Sequence, residues 1–242
     1  MKTFYLDIGN SFLKLAEKNE SGWNIVCQSE SAATLLDCIP GGGENISVIT
    51  TSVRSRIKDE LEKKLPDGSI VTISTDQVPG ELLDYDTPAT LGMDRYLACL
   101  GALSEAGRAV VAVDAGTACT VDLMTADKIY RGGVIMPGLK VYHRSMAVIL
   151  PELPETDHAV PRQWPGKSTK ESIQWGVNGA FSMSVERFIK KHTETVGEAD
   201  VFVTGGDAGS LKNYLEEKMT IHYRPHLVFE GMSEFLKIRK NG

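Results

Sequence analysis

Thr3-Phe4-Tyr5-Leu6-Asp7-Ile8-Gly9-Asn10-Ser11-Phe12-Leu13-Lys14-Leu15-Ala16 carries the plan of the whole chain. An apolar and aromatic run from Thr3 to Leu6 stops at Asp7-Ile8-Gly9-Asn10-Ser11 and resumes at Phe12 to Ala16, which predicts a hairpin turning on Gly9. The same plan returns at Ala109 to Val113, Asp114-Ala115-Gly116-Thr117-Ala118, and Cys119 to Leu123. Each copy reads as a buried strand, an Asp-x-Gly turn with a small polar residue, and an outgoing strand. Repetition over so long a period predicts two duplicated halves. The boundary is expected near Gly107-Arg108, after a helical stretch from Met93 to Ala106, giving halves 1–108 and 109–242.

Between the two copies, Ile46 to Thr50 and Ile70 to Ile73 read as strands, and Arg54 to Lys64 reads as a charged amphipathic helix. After the second copy, Ser168-Thr169-Lys170-Glu171 has the capping-box pattern, and Ile173, Val177, Phe181, Val185 and Phe188 follow it at helical spacing. Gly176 and Gly179 interrupt that helix, which is expected to reflect either close approach of a neighbouring backbone or simple tolerance of glycine there. Val201 to Val203 is a short strand entering the glycine turn Thr204-Gly205-Gly206-Asp207-Ala208. The class is mixed α/β.

Composition narrows the function. The 242 residues carry a net charge of −6, so nothing electrostatic favours nucleic acid or an anionic membrane as partner. No apolar run approaches the ~20 residues needed to span a bilayer, and Met1 to Asp7 turns acidic before a signal-peptide core can form, so a cytoplasmic location is expected. Cys27, Cys38, Cys99 and Cys119 have neither zinc nor disulfide-framework spacing and read as buried free thiols. The five histidines fall outside any triad or metal-ligand spacing.

Two nucleotide motifs are dismissed. Gly166-Lys167-Ser168-Thr169 copies the end of a P-loop, but its first glycine would fall at Pro161 and no buried strand precedes it. No G-x-G-x-x-G follows a strand. The Asp-x-Gly loops are better phosphate sites. Gly9 removes the Cβ that would hold a phosphate away, Asn10 and Ser11 offer donors, and Lys14 adds positive charge. Asp7 would repel a bare phosphate and makes sense beside a hydrated Mg²⁺. Asp114 is a candidate cation ligand, Thr117 a phosphate contact, and Asp122 a turn or surface carboxylate. Paired loops of this kind point to ATP, with duplicated structural hairpins as the alternative. A separate segment, Tyr85 to Tyr96, leads into the Met93 helix with Asp94 and Arg95 near its N-terminus, where a carboxylate can accept a hydroxyl proton and a guanidinium can bind an anion. Helix capping with an ion pair is the structural alternative.

Taken in order, these motifs resemble the type III pantothenate kinases of the acetate and sugar kinase/Hsp70/actin superfamily. The resemblance rests on Asp7 to Ser11 with Lys14, Tyr85 through Gly92-Met93-Asp94-Arg95, Asp114 to Ala118, Gly132 to Leu139, Gly166 to Thr169, and Thr204-Gly205-Gly206. Thr87 departs from the family pattern, which has Asn there. The resemblance implies duplicated ribonuclease H-like, actin-like ATPase domains with a nucleotide cleft between them, a homodimer, and ATP-dependent phosphorylation of pantothenate to 4′-phosphopantothenate. It assigns proton acceptance to Asp94, and pantothenate binding to Tyr85, Gly92, Met93, Asp94, Arg95 and Thr169. ATP binding falls to Asp7, Ile8, Gly9, Asn10, Ser11, Phe12, Leu13, Lys14 and Thr117. Mg²⁺ accompanies ATP near Asp7, through water, and Asp114 matches a ligand for K⁺ or NH₄⁺. Another small-molecule kinase of the superfamily and a non-enzymatic transcriptional accessory factor are the competing readings.

Overall fold

The computed structural model describes residues 2–9, 11–39, 46–51 and 55–241, with the backbone alone at 55, 56, 58, 240 and 241. Asn10 and Arg54 therefore lie outside the described residues. The chain forms two compact units, Met1–Gly101 with His226–Gly242, and Ala102–Pro225. The first begins with β1 (Lys2–Ile8), β2 (Leu13–Asn19) and β3 (Gly22–Ser29), followed by α1 (Ala32–Asp37), β4 (Ile46–Thr51), α2 (Ser55–Lys64), β5 (Ile70–Ile73) and α3 (Met93–Ala106). Next come β6 (Val110–Ala115), β7 (Ala118–Met124), β8 (Tyr130–Pro137), α4 (Leu139–Ile149), α5 (Thr169–Gln174), α6 (Ala180–Val196), β9 (Asp200–Thr204), α7 (Ala208–Glu216) and β10 (His222–Tyr223). The last helix is α8 (Leu227–Asn241).

The duplication is visible in the sheets. One has the order β3-β2-β1-β4-β5 and the other β8-β7-β6-β9-β10. In each, the first strand runs antiparallel to its hairpin partner and parallel to the strand on its other side. The registers match as well, since Asp7 stands opposite Lys14 and Asp114 opposite Thr120. Both carboxylates thus sit where a central strand enters its turn.

Covered faces explain the composition of the central strands. β4 is buried at all six positions, and its run of Ile, Val and Thr suits a strand packed on both sides. Phe4, Leu6, Leu15, Leu35, Val48 and Leu61 form the core of the first unit, each contributing about 1.5–3 kcal/mol by burial. Val113, Val121, Phe181, Val185, Ile189 and Val203 do the same in the second. Ser31 starts α1 by accepting from the Thr34 N–H at 3.4 Å.

α8 follows the second unit in sequence and belongs to the first by contact. Tyr96 of α3 meets Phe235 of α8 edge-on at 6.4 Å, and Phe229 of α8 packs on Trp23 at 5.6 Å. Gly231 brings the two helix backbones together, because a Cβ there would overlap the Leu97 carbonyl. Gly231→Ala is expected to lower stability by about 3 kcal/mol, read as a shift in the urea midpoint. An unchanged midpoint would mean that the helices do not touch this closely.

Several local expectations change. The helix after Ser168 is broken by a turn of π-helix at Trp175–Gly179. Gly179 makes room for the Trp175 ring instead of a neighbouring backbone, and Gly176 faces open space. Cys99 and Cys119 are buried free thiols, whereas Cys27 and Cys38 keep partial exposure. Asp122 is a buried carboxylate that accepts from the Tyr130 hydroxyl at 2.8 Å, so it is neither a turn nor a surface group. Among the described residues no helix is long and apolar enough to cross a membrane.

Candidate active site

The first loop closes tightly. The Gly9 N–H donates to the Phe12 carbonyl at 3.1 Å, and a Cβ at position 9 would lie 2.9 Å from that oxygen. Asp7 and Ile8 end β1, while Leu13 and Lys14 begin β2. Ser11 and Phe12 are exposed at the turn, and Leu13 is in the core, so only its backbone is available to a ligand. Burial pushes the Asp7 carboxyl up to about 6, Lys14 opposes this, and the nearby charge of Asp94 adds to it. Asp7 and Asp94, far apart in sequence, are therefore electrostatic neighbours.

Asp94 stands in the first turn of α3, where the helix dipole favours an anion. Its Oδ1 accepts from the Arg95 N–H at 3.0 Å, and a Cβ on Gly92 would come within 2.5 Å of the same oxygen. Any larger residue at 92 would displace the carboxylate. Met93 is buried and anchors the turn, which leaves Asp94 exposed. Arg95 is buried, with Nη1 3.5 Å from the Tyr85 hydroxyl and its guanidinium 5.9 Å from the Tyr85 ring centroid. Tyr85, Gly92, Asp94 and Arg95 form one cluster.

In the second unit three glycine motifs meet. The Gly116 N–H donates to the Ala118 carbonyl at 3.1 Å, closing the turn that exposes Thr117. The Gly138 N–H donates to the Thr117 carbonyl at 2.8 Å, which joins the Gly132 to Leu139 segment to this turn. Gly205 adopts φ +99°, and a Cβ there would lie 2.5 Å from both Asp114 Oδ1 and the Ala115 carbonyl oxygen. Only glycine fits both the conformation and the space. The Asp207 N–H donates to the Ala115 carbonyl at 2.8 Å, and the Asp207 carboxylate pairs with Lys140 Nζ at 3.0 Å. Lys140 was not singled out from sequence, and Asp207 only as part of the glycine turn that follows β9.

Thr169 is the first residue of α5 and is exposed. Ser168 Oγ accepts from the Glu171 N–H at 3.2 Å, and Glu171 Oε2 accepts from the Lys167 N–H at 2.7 Å. Gly166 to Thr169 is therefore a helix cap, and the dismissal of a P-loop stands on that geometry. Thr169 lines a cavity of about 340 Å³ with Met146, Leu153 and Ile173.

The donor sets suit hard cations. Asp7 carries a charge that burial and Asp94 both disfavour, a cost a cation would offset. Among the described residues no cluster of three or more His, Cys, Asp or Glu could hold a metal. A divalent ion held by one carboxylate, water and phosphate oxygens fits such a site. At the second loop, Asp114 Oδ1 and the Ala115 carbonyl oxygen both lie against Gly205.

The family model for type III pantothenate kinase matches residues 3–191. The type III pantothenate kinase of Phocaeicola vulgatus is 34% identical over 242 residues, covering 96% of each chain. Among solved structures, one described as a Baf family transcriptional activator from Campylobacter jejuni has TM-score 0.69 at 23% identity, covering 99% of this chain and 100% of that one. Another, described as a 2-dehydro-3-deoxygalactonokinase from Sinorhizobium meliloti, has TM-score 0.59 at 14% identity, covering 98% and 99%. Two like-ordered sheets, an Asp-x-Gly loop in each unit and a family match over most of the chain have one explanation: this protein belongs to the type III pantothenate kinase family.

Proposed function

We propose that Asp94 is the proton acceptor when the γ-phosphoryl group of ATP passes to a hydroxyl of pantothenate. As a type III pantothenate kinase, the protein makes 4′-phosphopantothenate, the first step of coenzyme A biosynthesis. The observation that carries Asp94 into this role is its place in the first turn of α3, against Gly92 and beside Arg95, Tyr85 and the charge of Asp7.

Tyr85, Gly92, Met93, Arg95 and Thr169 bind pantothenate in this reading, and the loop from Asp7 to Lys14 binds ATP together with Thr117. Buried Arg95 offers paired hydrogen bonds to an anionic group, with the Tyr85 ring against its face. The substrate hydroxyl is held by the Asp94 carboxylate and gives up its proton there as the new P–O bond forms. In a loose transition state proton transfer comes late, so Asp94 orients the nucleophile as much as it activates it. Mg²⁺ bound with ATP near Asp7, and K⁺ or NH₄⁺ at Asp114, would offset the charge of the triphosphate. Lys14 lies across from Asp7 and supplies fixed positive charge at the first loop.

A homodimer completes the proposal. Val148 and Ile149 are 67% and 72% exposed and Trp164 is 71% exposed, and in this reading a second copy covers them. ADP release should depend on pantothenate, be absent with a panel of sugars, and be faster with K⁺ or NH₄⁺ than with Na⁺. Release driven by a sugar alone would overturn the substrate, equal rates in all three salts would remove the cation from Asp114, and sedimentation at the mass of one chain would remove the dimer.

A further inference from the structure

Between α5 and α6 the helix widens to a single π-turn at Trp175–Gly179. Such widening is uncommon and recurs where a side chain has to be re-aimed. Here the side chain is that of Asn178, which is 1% exposed. Its Nδ2 donates to the carbonyls of Asp157 at 2.9 Å and Ala159 at 2.7 Å, which uses both amide hydrogens. An oxygen could not serve two carbonyl acceptors, so the orientation of the amide is determined and Oδ1 faces His143 Nε2, 2.7 Å away. An acceptor at that distance requires the hydrogen of the neutral imidazole to be on Nε2. Nδ1 is then the lone-pair nitrogen, with no partner among the described residues.

His143 looks onto a cavity of about 390 Å³ with Arg144, Thr156 and His158. Met146, Leu153 and Ile173 wall both this cavity and the one lined by Thr169. The His158 ring packs tilted against that of His143, centroids 4.4 Å and planes 32° apart, and Asn178 holds the segment on either side of His158. Thr156 Oγ1, in the same lining, is buried without a hydrogen-bond partner.

We infer that Asn178 is a positioning residue that holds His143 in its Nε2–H form, so that the cavity adjoining Thr169 presents a hydrogen-bond acceptor to the phosphoryl-accepting substrate. The substrate selected there carries a hydroxyl or amide N–H at that end. This rests on the reading of Thr169 as a pantothenate contact. A ligand offering only acceptors would leave Nδ1 facing a lone pair, which costs affinity.

Two measurements on the full-length protein test the inference. Long-range ¹H–¹⁵N correlation of the labelled, ligand-free protein above pH 8 should show His143 protonated at Nε2. Asn178→Ala should populate both tautomers. A His143 protonated at Nδ1 in the wild type overturns the inference whether or not the enzyme is active. In steady-state kinetics Asn178→Ala should raise the pantothenate KM roughly tenfold, the loss of about one hydrogen bond, with kcat and the ATP KM within about twofold. Parallel losses in kcat and both KM values would mean a structural role only, and an unchanged pantothenate KM would remove Asn178 from specificity. If Asn178→Ala does not fold, His143→Phe keeps a ring against His158 and removes the acceptor; the same rise in pantothenate KM is expected, and its absence overturns the inference. Failure of the wild type to use pantothenate would sink the substrate reading while leaving the tautomer result standing.

Discussion

Asp94→Asn is expected to lower turnover about 10²–10⁴-fold while leaving nucleotide affinity largely intact. The amide has nearly the same shape, so the contact with Gly92 and the bond from the Arg95 N–H can persist. What is lost is the ability to take the hydroxyl proton, together with one negative charge. Asp94 is also one of the causes raising the Asp7 carboxyl, so the substitution should lower the pKa of Asp7. Turnover measured at saturating pantothenate and ATP, with nucleotide binding followed by calorimetry, checks the first effect. Wild-type turnover in Asp94→Asn would remove the residue from the mechanism.

The second large effect joins stability to function. Asp7→Asn should abolish most activity and yet make the ligand-free protein more stable at pH 8. Its carboxyl titrates near 3.8 when unfolded and at about 6 when folded, so the native state binds the proton more tightly. Stability therefore falls as pH rises from about 4 to about 6, and the whole penalty is present above that window. Two units correspond to nearly 3 kcal/mol, trimmed to about 2 kcal/mol because Asp7 keeps some contact with solvent. Urea unfolding of both proteins from pH 4 to pH 8, without nucleotide or divalent cation, should show Asp7→Asn pulling ahead across that window and level with the wild type at pH 4. A wild type that is the more stable at pH 8 would sink the account. Loss of activity beside gain of stability is what a charge retained for ligand binding produces.

Much of the candidate site was legible because its residues are close in sequence. Tyr85, Gly92, Asp94 and Arg95 lie within one loop and the first turn of one helix, and the structure keeps them together. The pairing of Lys140 with Asp207 escaped notice because a salt bridge between residues so far apart has no local signature. Asn178 escaped for a different reason. A π-turn needs one wider hydrogen-bonded turn, and nothing in the spacing of Ile173, Val177 and Phe181 distinguishes it from a regular helix.

From the chain alone came the duplicated α/β plan, the two Asp-x-Gly loops and the helix from Met93 to Ala106, because hydrophobic period, turn glycines and caps act over a few residues. Only the tertiary structure could decide that α8 belongs with the first unit, since an apolar helix face specifies burial without naming its partner. Only it could show that Asp7 and Asp94 share an electrostatic environment, because desolvation and Coulomb forces depend on distance in space. The same holds for the convergence of Gly116, Gly138 and Gly205, three turns whose close approach is a property of packed backbones.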